Sequence, residues 1–337
     1  MKILLYSKFY KIFGGTENIA GGLISALENQ RKMLTHLNIA FTENINDDWD
    51  IIQINIPWPE SVKKAKLARS RGKKVIMWSH VTVEDLERSV RVFKIIPGLS
   101  FLIKKYLKYA YNHADLIFSP SEYTRNLLIS YGLPKEKLFV QSNAVDTDKF
   151  HKDIEKREMY RKQYNLLGLV VGNISLVIPR KGPGTFIDLS KKFTNNQFIW
   201  FGKIFSKFFV EGLPETNLSH LRFTGFVEDQ VAALNAMDIF LFPSYEENQG
   251  MVVLEAAAIG LPILVRDIPV YNGWLVHDVN CLKAKNDMEF EKNLHSLLED
   301  QGLRTRLSVE ALVLAQKENI ESQGIILRNT YNTLFAK

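Results

Sequence analysis

The stretch "DIFLFPSYEENQGMVVLEAAAIGLPILV", residues 238–265, decides how the chain is read. It opens as an apolar strand over 238–244, crosses a polar loop, and continues as an apolar helical stretch near 250–259. It then returns to an apolar strand at 261–265. Apolar strands joined by a helix mean a parallel sheet covered on both faces. Ligands of such sheets bind outside the carboxyl ends of the strands. Glu247 falls there, in the strand-to-helix loop, and Gly250 opens the helix. Glu255 lies roughly 7–8 Å further along the helix axis, in a run that is otherwise apolar.

Two carboxylates so placed flank a helix start. The free N–H groups and positive dipole end at Gly250 and Met251 form a seat for phosphate. Gly250 lets an anion approach the backbone with no Cβ in the way. Each glutamate can accept a pair of hydrogen bonds from vicinal hydroxyls. Carboxylate, phosphate seat, carboxylate matches the hexose, diphosphate and ribose of a nucleotide sugar. Structural alternatives stand beside this reading. Ser244 and Glu247 also spell the S-x-x-E capping box, and Glu255 could pair with a buried arginine.

Outward from this unit the alternation repeats. Strand patterns occur at 2–7, 50–56, 74–79, 115–120 and 137–142, with helical stretches near 17–30, 60–71, 99–112 and 121–131. A polar segment, 148–165, reads as a linker. Strands then resume at 168–177, 197–202 and 221–226, with helices near 182–193, 228–236 and 287–318. The expected fold is α/β: two doubly wound, Rossmann-like domains facing a central cleft. The first spans 1–160 and the second 161–319; a last helix within 320–337 is expected to return to the first.

A chain of 337 residues exceeds the usual size of one core, which agrees with two domains. The single cysteine, Cys281, excludes an intrachain disulfide and fits a reducing compartment. The apolar run before Ser7 and Lys8 is too short for a signal peptide, and no stretch approaches a membrane span. The expected location is therefore the cytoplasm. A net charge of +6 points to an anionic partner. No nucleic-acid motif accompanies it, so nucleic acid is not expected. The triplets "DWD" (48–50) and "DTD" (146–148) arise easily by chance, and no metal is expected.

The segment "PSYEENQGMVVLEAAAIGLPI" resembles the E-x7-E signature of the retaining glycosyltransferases of family four, which have the GT-B architecture. Further segments are similar in the family's order: "PSEYTRNLLISYGLPKEKLFVQSNAVDTDKF" (120–150), with Ala144 where glycine is usual, "PRKGPGTFIDL" (179–189), "RFTGFV" (222–227) and "MDIFLFPS" (237–244). "KVIMWSHVTVEDL", "FIWFGK" and "LVRDIPVYNGW" most resemble the bacterial enzymes that glycosylate diacylglycerol or glucosyl-diacylglycerol.

The resemblance implies roles. Lys181 matches the family's phosphate-binding lysine. The family's upstream arginine is missing, Ser175 and Leu176 standing there, so Arg180 is the candidate replacement. Gly14 and Gly15 match the glycine loop after the first strand, and His80 the active-site histidine. The candidate catalytic set is His80, Lys181 and Glu247. The donor-binding set is Gly14, Gly15, Arg180, Gln249, Gly250, Met251 and Glu255. The implied reaction moves a hexosyl group from UDP-glucose or UDP-galactose, with retention, onto a membrane lipid. The UDP-sugar is a co-substrate, and no cofactor is expected.

Residues 87–113 interleave basic and bulky apolar side chains, a pattern suited to an anionic lipid surface. Arg88, Arg91, Lys104, Lys105 and Lys108 are the candidate docking residues. The plainer alternative is a core helix with a solvated basic face. Two other functions compete: transfer to a polysaccharide or wall-polymer acceptor, and sugar-nucleotide binding without catalysis.

Overall fold

Short runs of Ile, Leu, Val and Phe form the strands, because burial on both faces favours an unbroken apolar sequence over alternation. The computed structural model describes residues 1–7, 21–204 and 218–334. In the first half the strands are β1 (Lys2–Tyr6), β2 (Ala40–Thr42), β3 (Ile51–Ile54), β4 (Lys74–Trp78), β5 (Leu116–Ser119) and β6 (Leu138–Val140). They pair in the order 2-1-3-4-5-6, all parallel. In the second half β7 (Val170–Ile174), β8 (Gln197–Phe201), β9 (Leu221–Gly225), β10 (Ile239–Phe242), β11 (Ile263–Arg266) and β12 (Leu282–Ala284) follow. Their order is 12-11-10-7-8-9, again parallel throughout. In each sheet the order reverses beside the first strand of the series. The switch lies between β1 and β3 in one sheet and between β7 and β10 in the other.

The helices are α1 (Gly21–His36), α2 (Pro59–Ser70), α3 (Val83–Ser89), α4 (Val92–Ile95), α5 (Leu99–Tyr111), α6 (Glu122–Ser130), α7 (Ile154–Gln163), α8 (Pro183–Lys192), α9 (Gln230–Asn235), α10 (Met251–Ile259), α11 (Asp287–Glu299), α12 (Gln301–Lys317) and α13 (Ile320–Thr333). The chain divides into two compact units. One comprises Met1–Glu87, Val92–Ala144 and Ile320–Lys337; the other comprises Arg88–Arg91 and Val145–Asn319.

In the first unit the sheet carries a core on each face. On one side Leu4, Ile52, Met77 and Ile117 pack with Leu107, Tyr111 and Leu128. On the other Ile3, Leu5, Ile76, Trp78 and Phe118 pack with Met33 and Leu34 of α1 and with Leu327 and Tyr331 of α13. Ala144 ends this unit with φ 59°, in the left-handed region where glycine is ordinarily favoured. Asn29 of α1 holds it there, its Nδ2 donating to the carbonyl oxygens of Asn143 (3.2 Å) and Ala144 (2.9 Å).

Three local expectations need correction. The polar segment 148–165 is not a bare linker, because most of it is α7. Asp153 caps that helix by accepting from the Lys156 N–H at 2.9 Å. Arg157 and Arg161 then grip the Asp238 carboxylate at 2.6 and 3.0 Å. The expected long helix 287–318 is broken at Asp300, whose side chain caps α12 by accepting from the Leu303 N–H. The edge strands β2 and β12 and the short helices α3 and α4 also lie outside the expected elements.

Candidate active site

The loops after β7 and β10 meet at the switch point of the second sheet. Lys181 ends the first loop, and Gly182 turns it into α8 with φ 75°. A Cβ at Gly182 would stand 2.4 Å from the Pro243 carbonyl oxygen, so glycine is what lets the two loops touch. Glu247 sits in the second loop, buried at 6% exposure. It accepts from Lys181 Nζ at 2.5 Å and from Ser244 Oγ at 2.6 Å. Arg180 Nη1 lies 3.4 Å from the same carboxylate oxygen and donates to the Glu246 carbonyl at 2.6 Å.

This is a buried carboxylate held by two cations. Burial by itself pushes the Glu247 carboxyl upward. The charges of Lys181 and Arg180, with the hydrogen bonds from Lys181 and Ser244, more than reverse that effect and hold it below its ordinary value. The capping-box alternative does not hold. Ser244 gives its hydrogen bond to the Glu247 side chain, and α10 begins only at Met251.

Gly250 stands at the N-cap of α10 with φ 88°, so no side chain of the cap residue covers the first N–H groups. Gln249 is buried beside it, and Glu255 is buried inside α10 at 6% exposure. Arg180, Lys181, Glu247, Gln249, Gly250 and Met251 are thus gathered around one switch point, from segments about 65 residues apart in sequence, and Glu255 lies further along α10.

Two residues of this region escaped the sequence reading. Arg266, at the carboxyl end of β11, donates through Nε to the Pro243 carbonyl at 3.1 Å and through Nη2 to Thr185 Oγ1 at 3.0 Å. Its guanidinium lies 3.9 Å from the centre of the Tyr245 ring. It therefore braces the loop that carries Glu247. The signal was present as a lone arginine ending an apolar strand. Tyr271 is fully buried, and its hydroxyl has no hydrogen-bond partner among the described residues. That hydroxyl lies 3.3 Å from the position a Cβ on Gly250 would take.

In the first unit His80 follows β4. Its ring stacks on Trp78, with centroids 5.4 Å apart, and its Nε2 lies 3.2 Å from Asn55 Oδ1. Burial pushes the imidazole well below its ordinary pKa, which keeps it neutral near pH 7. Gly14 and Gly15 lie outside the described residues.

The candidate docking residues divide. Arg88 and Arg91 are exposed and cluster with the second unit. In the first unit α5 buries Leu107, Ala110 and Tyr111 and exposes Phe101, Leu102, Lys105, Lys108 and Tyr109. Lys105 stands 4.4 Å over the Phe101 ring. Lys104 is only partly exposed and lies over the ring of Tyr131 at 4.8 Å. The outward face therefore carries apolar as well as basic side chains, while Leu107 and Tyr111 pack in the core as the plainer alternative expects.

Comparison with known proteins places this geometry. Residues 160–312 match the model for glycosyl transferases group 1, and residues 20–149 match that for glycosyltransferase family 4. A processive diacylglycerol alpha-glucosyltransferase of Acholeplasma laidlawii is 32% identical over 98% of this chain and 98% of its own length. The chain belongs to glycosyltransferase family 4. An alpha-galactosylglucosyldiacylglycerol synthase of Streptococcus pneumoniae is 27% identical, covering 82% of this chain and 77% of its own.

The fold of this glycosyltransferase is GT-B. A crystal structure of Anabaena HepE with UDP and glucose aligns with a TM-score of 0.76 at 16% identity, over 99% of this chain and 100% of that one. The sucrose-phosphate synthase of Thermosynechococcus elongatus aligns at 0.78 and 14% identity, over 99% of each chain. Among the described residues no helix is long and apolar enough to cross a membrane, and no group of three metal-ligating side chains converges.

Proposed function

We propose that this glycosyltransferase moves a glucosyl or galactosyl group from its UDP-sugar, with retention at the anomeric carbon, onto diacylglycerol or a glucosyl-diacylglycerol. The observation that carries the reading is the buried Glu247 held between Lys181 and Arg180, in the loop that leads to the start of α10, which no side chain of its N-cap residue covers. The acceptor class rests on the full-length similarity to a diacylglycerol alpha-glucosyltransferase.

The hard step is departure of negatively charged UDP. Lys181 and Arg180, with the N–H groups at the α10 start, supply positive potential where that charge develops, in a site largely removed from water. Glu247 accepts hydrogen bonds from donor-sugar hydroxyls, and Glu255 from the ribose. When the diphosphate draws Lys181 toward itself, the Glu247 carboxylate is released to the hydroxyls. His80 contributes contact with the donor sugar and a neutral imidazole dipole. In this reading the acceptor hydroxyl attacks from the face UDP leaves, and the departing phosphate takes its proton.

The acceptor sits in a membrane, and the basic, apolar face of α5 suits an anionic leaflet. The enzyme is then peripheral, on the cytoplasmic face. The test is turnover of UDP-glucose and UDP-galactose against diacylglycerol and glucosyl-diacylglycerol in mixed vesicles, with the product anomer identified by NMR. Product with the α configuration, lost in Lys181→Ala and Glu247→Ala, is expected. Turnover only with polyprenyl-linked or polymer acceptors would replace the acceptor class, and none with any acceptor would leave a binding protein.

A further inference from the structure

The face of the first sheet covered by α1 and α13 is lined by Ile3, Leu5, Ile51, Ile76, Trp78 and Phe118, yet it encloses a row of amides. Gln30, Gln53 and Asn55 are each fully buried. They join end to end. Tyr331 Oη donates to Gln53 Oε1 at 2.5 Å, Gln53 Nε2 to Gln30 Oε1 at 2.9 Å, and Gln30 Nε2 to Asn55 Oδ1 at 2.7 Å. The same Asn55 oxygen faces His80 Nε2 at 3.2 Å.

The row has a direction. Gln53 and Gln30 each accept from the side of Tyr331 and donate toward His80, and the row ends at Asn55, whose one carbonyl oxygen takes the Gln30 bond and faces the imidazole. Asn55 Nδ2 is left with no acceptor among the described residues. An unmade bond of that kind costs about 1–3 kcal/mol. A cluster of buried amides serving stability alone would be disfavoured against apolar residues of the same volume. If the row ran the other way, Asn55 would turn its NH₂ toward His80, and the ring would have to offer Nε2 as an acceptor. The direction of the row and the tautomer of His80 are therefore one choice.

We propose that Tyr331, Gln53, Gln30 and Asn55 are positioning residues that act through His80. They fix its ring and hold it as the Nε2–H tautomer, so that Nδ1 is the nitrogen carrying the lone pair. The C-terminal helix thereby contributes to the active site without touching substrate. Tyr331 suits the far end because burial raises its pKa and keeps the hydroxyl protonated as a donor. The inference rests on the role given to His80 above.

The experiment is a long-range ¹H–¹⁵N spectrum of protein labelled at histidine nitrogen, with His80 assigned from its absence in His80→Asn. It is run beside steady-state kinetics for Tyr331→Phe and Gln30→Met. The wild type is expected to show a protonated Nε2 and an unprotonated Nδ1. Each variant is expected to mix the tautomers and to lower kcat roughly three- to ten-fold, about the weight of one hydrogen bond, with KM for the UDP-sugar nearly unchanged. Tyr331→Phe keeps the ring packing, so it remains informative should Gln30→Met fail to fold.

A protonated Nδ1 in the wild type, unchanged nitrogen shifts in the folded variants, or changed shifts with unchanged kcat would each overturn the proposal. Full activity in His80→Asn would instead overturn the role of His80 itself. The nitrogen spectra do not depend on that result.

Discussion

Lys181 Nζ and Glu247 Oε1 lie 2.5 Å apart although 66 residues separate them in the chain. Both side chains are nearly buried, at 11% and 8% exposure, and Arg180 stands 3.4 Å from the same oxygen. Two cations share one anion here, so the two sides of the pair are not equivalent. Removing Glu247 takes the shared carboxylate from two nearly buried cations at once, whereas removing Lys181 leaves the carboxylate with Arg180. Breaking a buried pair from one side costs about 3–5 kcal/mol. Glu247→Gln is therefore expected to lose about that much in urea unfolding, and Lys181→Met clearly less. Equal losses would show that Arg180 does not share the carboxylate.

The same carboxylate makes stability depend on acid in a defined direction. Glu247 is held below its ordinary value in the folded protein, so it binds fewer protons there than in the unfolded chain at mildly acid pH. Its contribution is fully present above the ordinary glutamate value of about 4.3 and is lost as pH falls through the lower folded value. The difference in melting temperature between wild type and Glu247→Gln should be constant from neutral pH down to that range and shrink below it. A difference that narrows already near pH 6 would mean that Glu247 is not ionised in the way the geometry requires.

The carboxyl-end placement of Glu247 and Gly250 was legible because a strand, a polar loop and an apolar helix leave few arrangements for a charge between them. The approach of Lys181 to Glu247 was not, since nothing within "PRKG" or "EENQG" encodes how two distant loops will touch. Arg266 was overlooked for a related reason. Its partners are the Pro243 carbonyl and Thr185 Oγ1, which only the sheet order β11-β10-β7 brings within reach. The segment 148–165 was misjudged because α7 has little apolar face. Its stability comes from Arg157 and Arg161 on Asp238, long-range ion pairs that periodicity does not reveal. The buried amides Gln30, Gln53 and Asn55 were invisible in the same way, one by one ordinary residues of a helix, a strand and the bend after it.

Gly182 is one of the points at which the Lys181 loop and the Glu247 loop touch. It combines a left-handed φ of 75° with a Cβ position 2.4 Å from a backbone oxygen. A left-handed alanine costs about 1–2 kcal/mol, and overpacking against backbone about 1–3 more. Gly182→Ala is expected to lose at least about 2 kcal/mol in denaturant unfolding. It should also raise KM for the UDP-sugar, because the loops can relieve the clash only by parting. Gly184→Ala is the control, since a Cβ there meets nothing within 4 Å. Indistinguishable effects at the two positions would remove the argument that the loops are held by their contact at Gly182.

The outward face of α5 supplies the last prediction. Phe101 and Leu102 are 58% and 62% exposed, and Lys105 and Lys108 stand exposed along the same helix. Each lysine close to an anionic surface contributes about 1 kcal/mol, so the pair is worth roughly thirty-fold in binding. Lys105→Gln with Lys108→Gln should weaken sedimentation with anionic vesicles by about that factor at low salt. It should leave binding to zwitterionic vesicles, and turnover of detergent-dispersed acceptor, unchanged. Phe101→Ser with Leu102→Ser should weaken binding to both kinds of vesicle, because the lost anchor is apolar and indifferent to lipid charge. Extending the charge change to Arg88, Arg91 and Lys104 separates the segments. Further loss from Arg88 and Arg91 would bring the second unit's residues into the docking surface, whereas a small effect of Lys104 would follow from its place over the Tyr131 ring. Unaltered sedimentation with all five replaced would show that α5 does not meet the membrane through its charges.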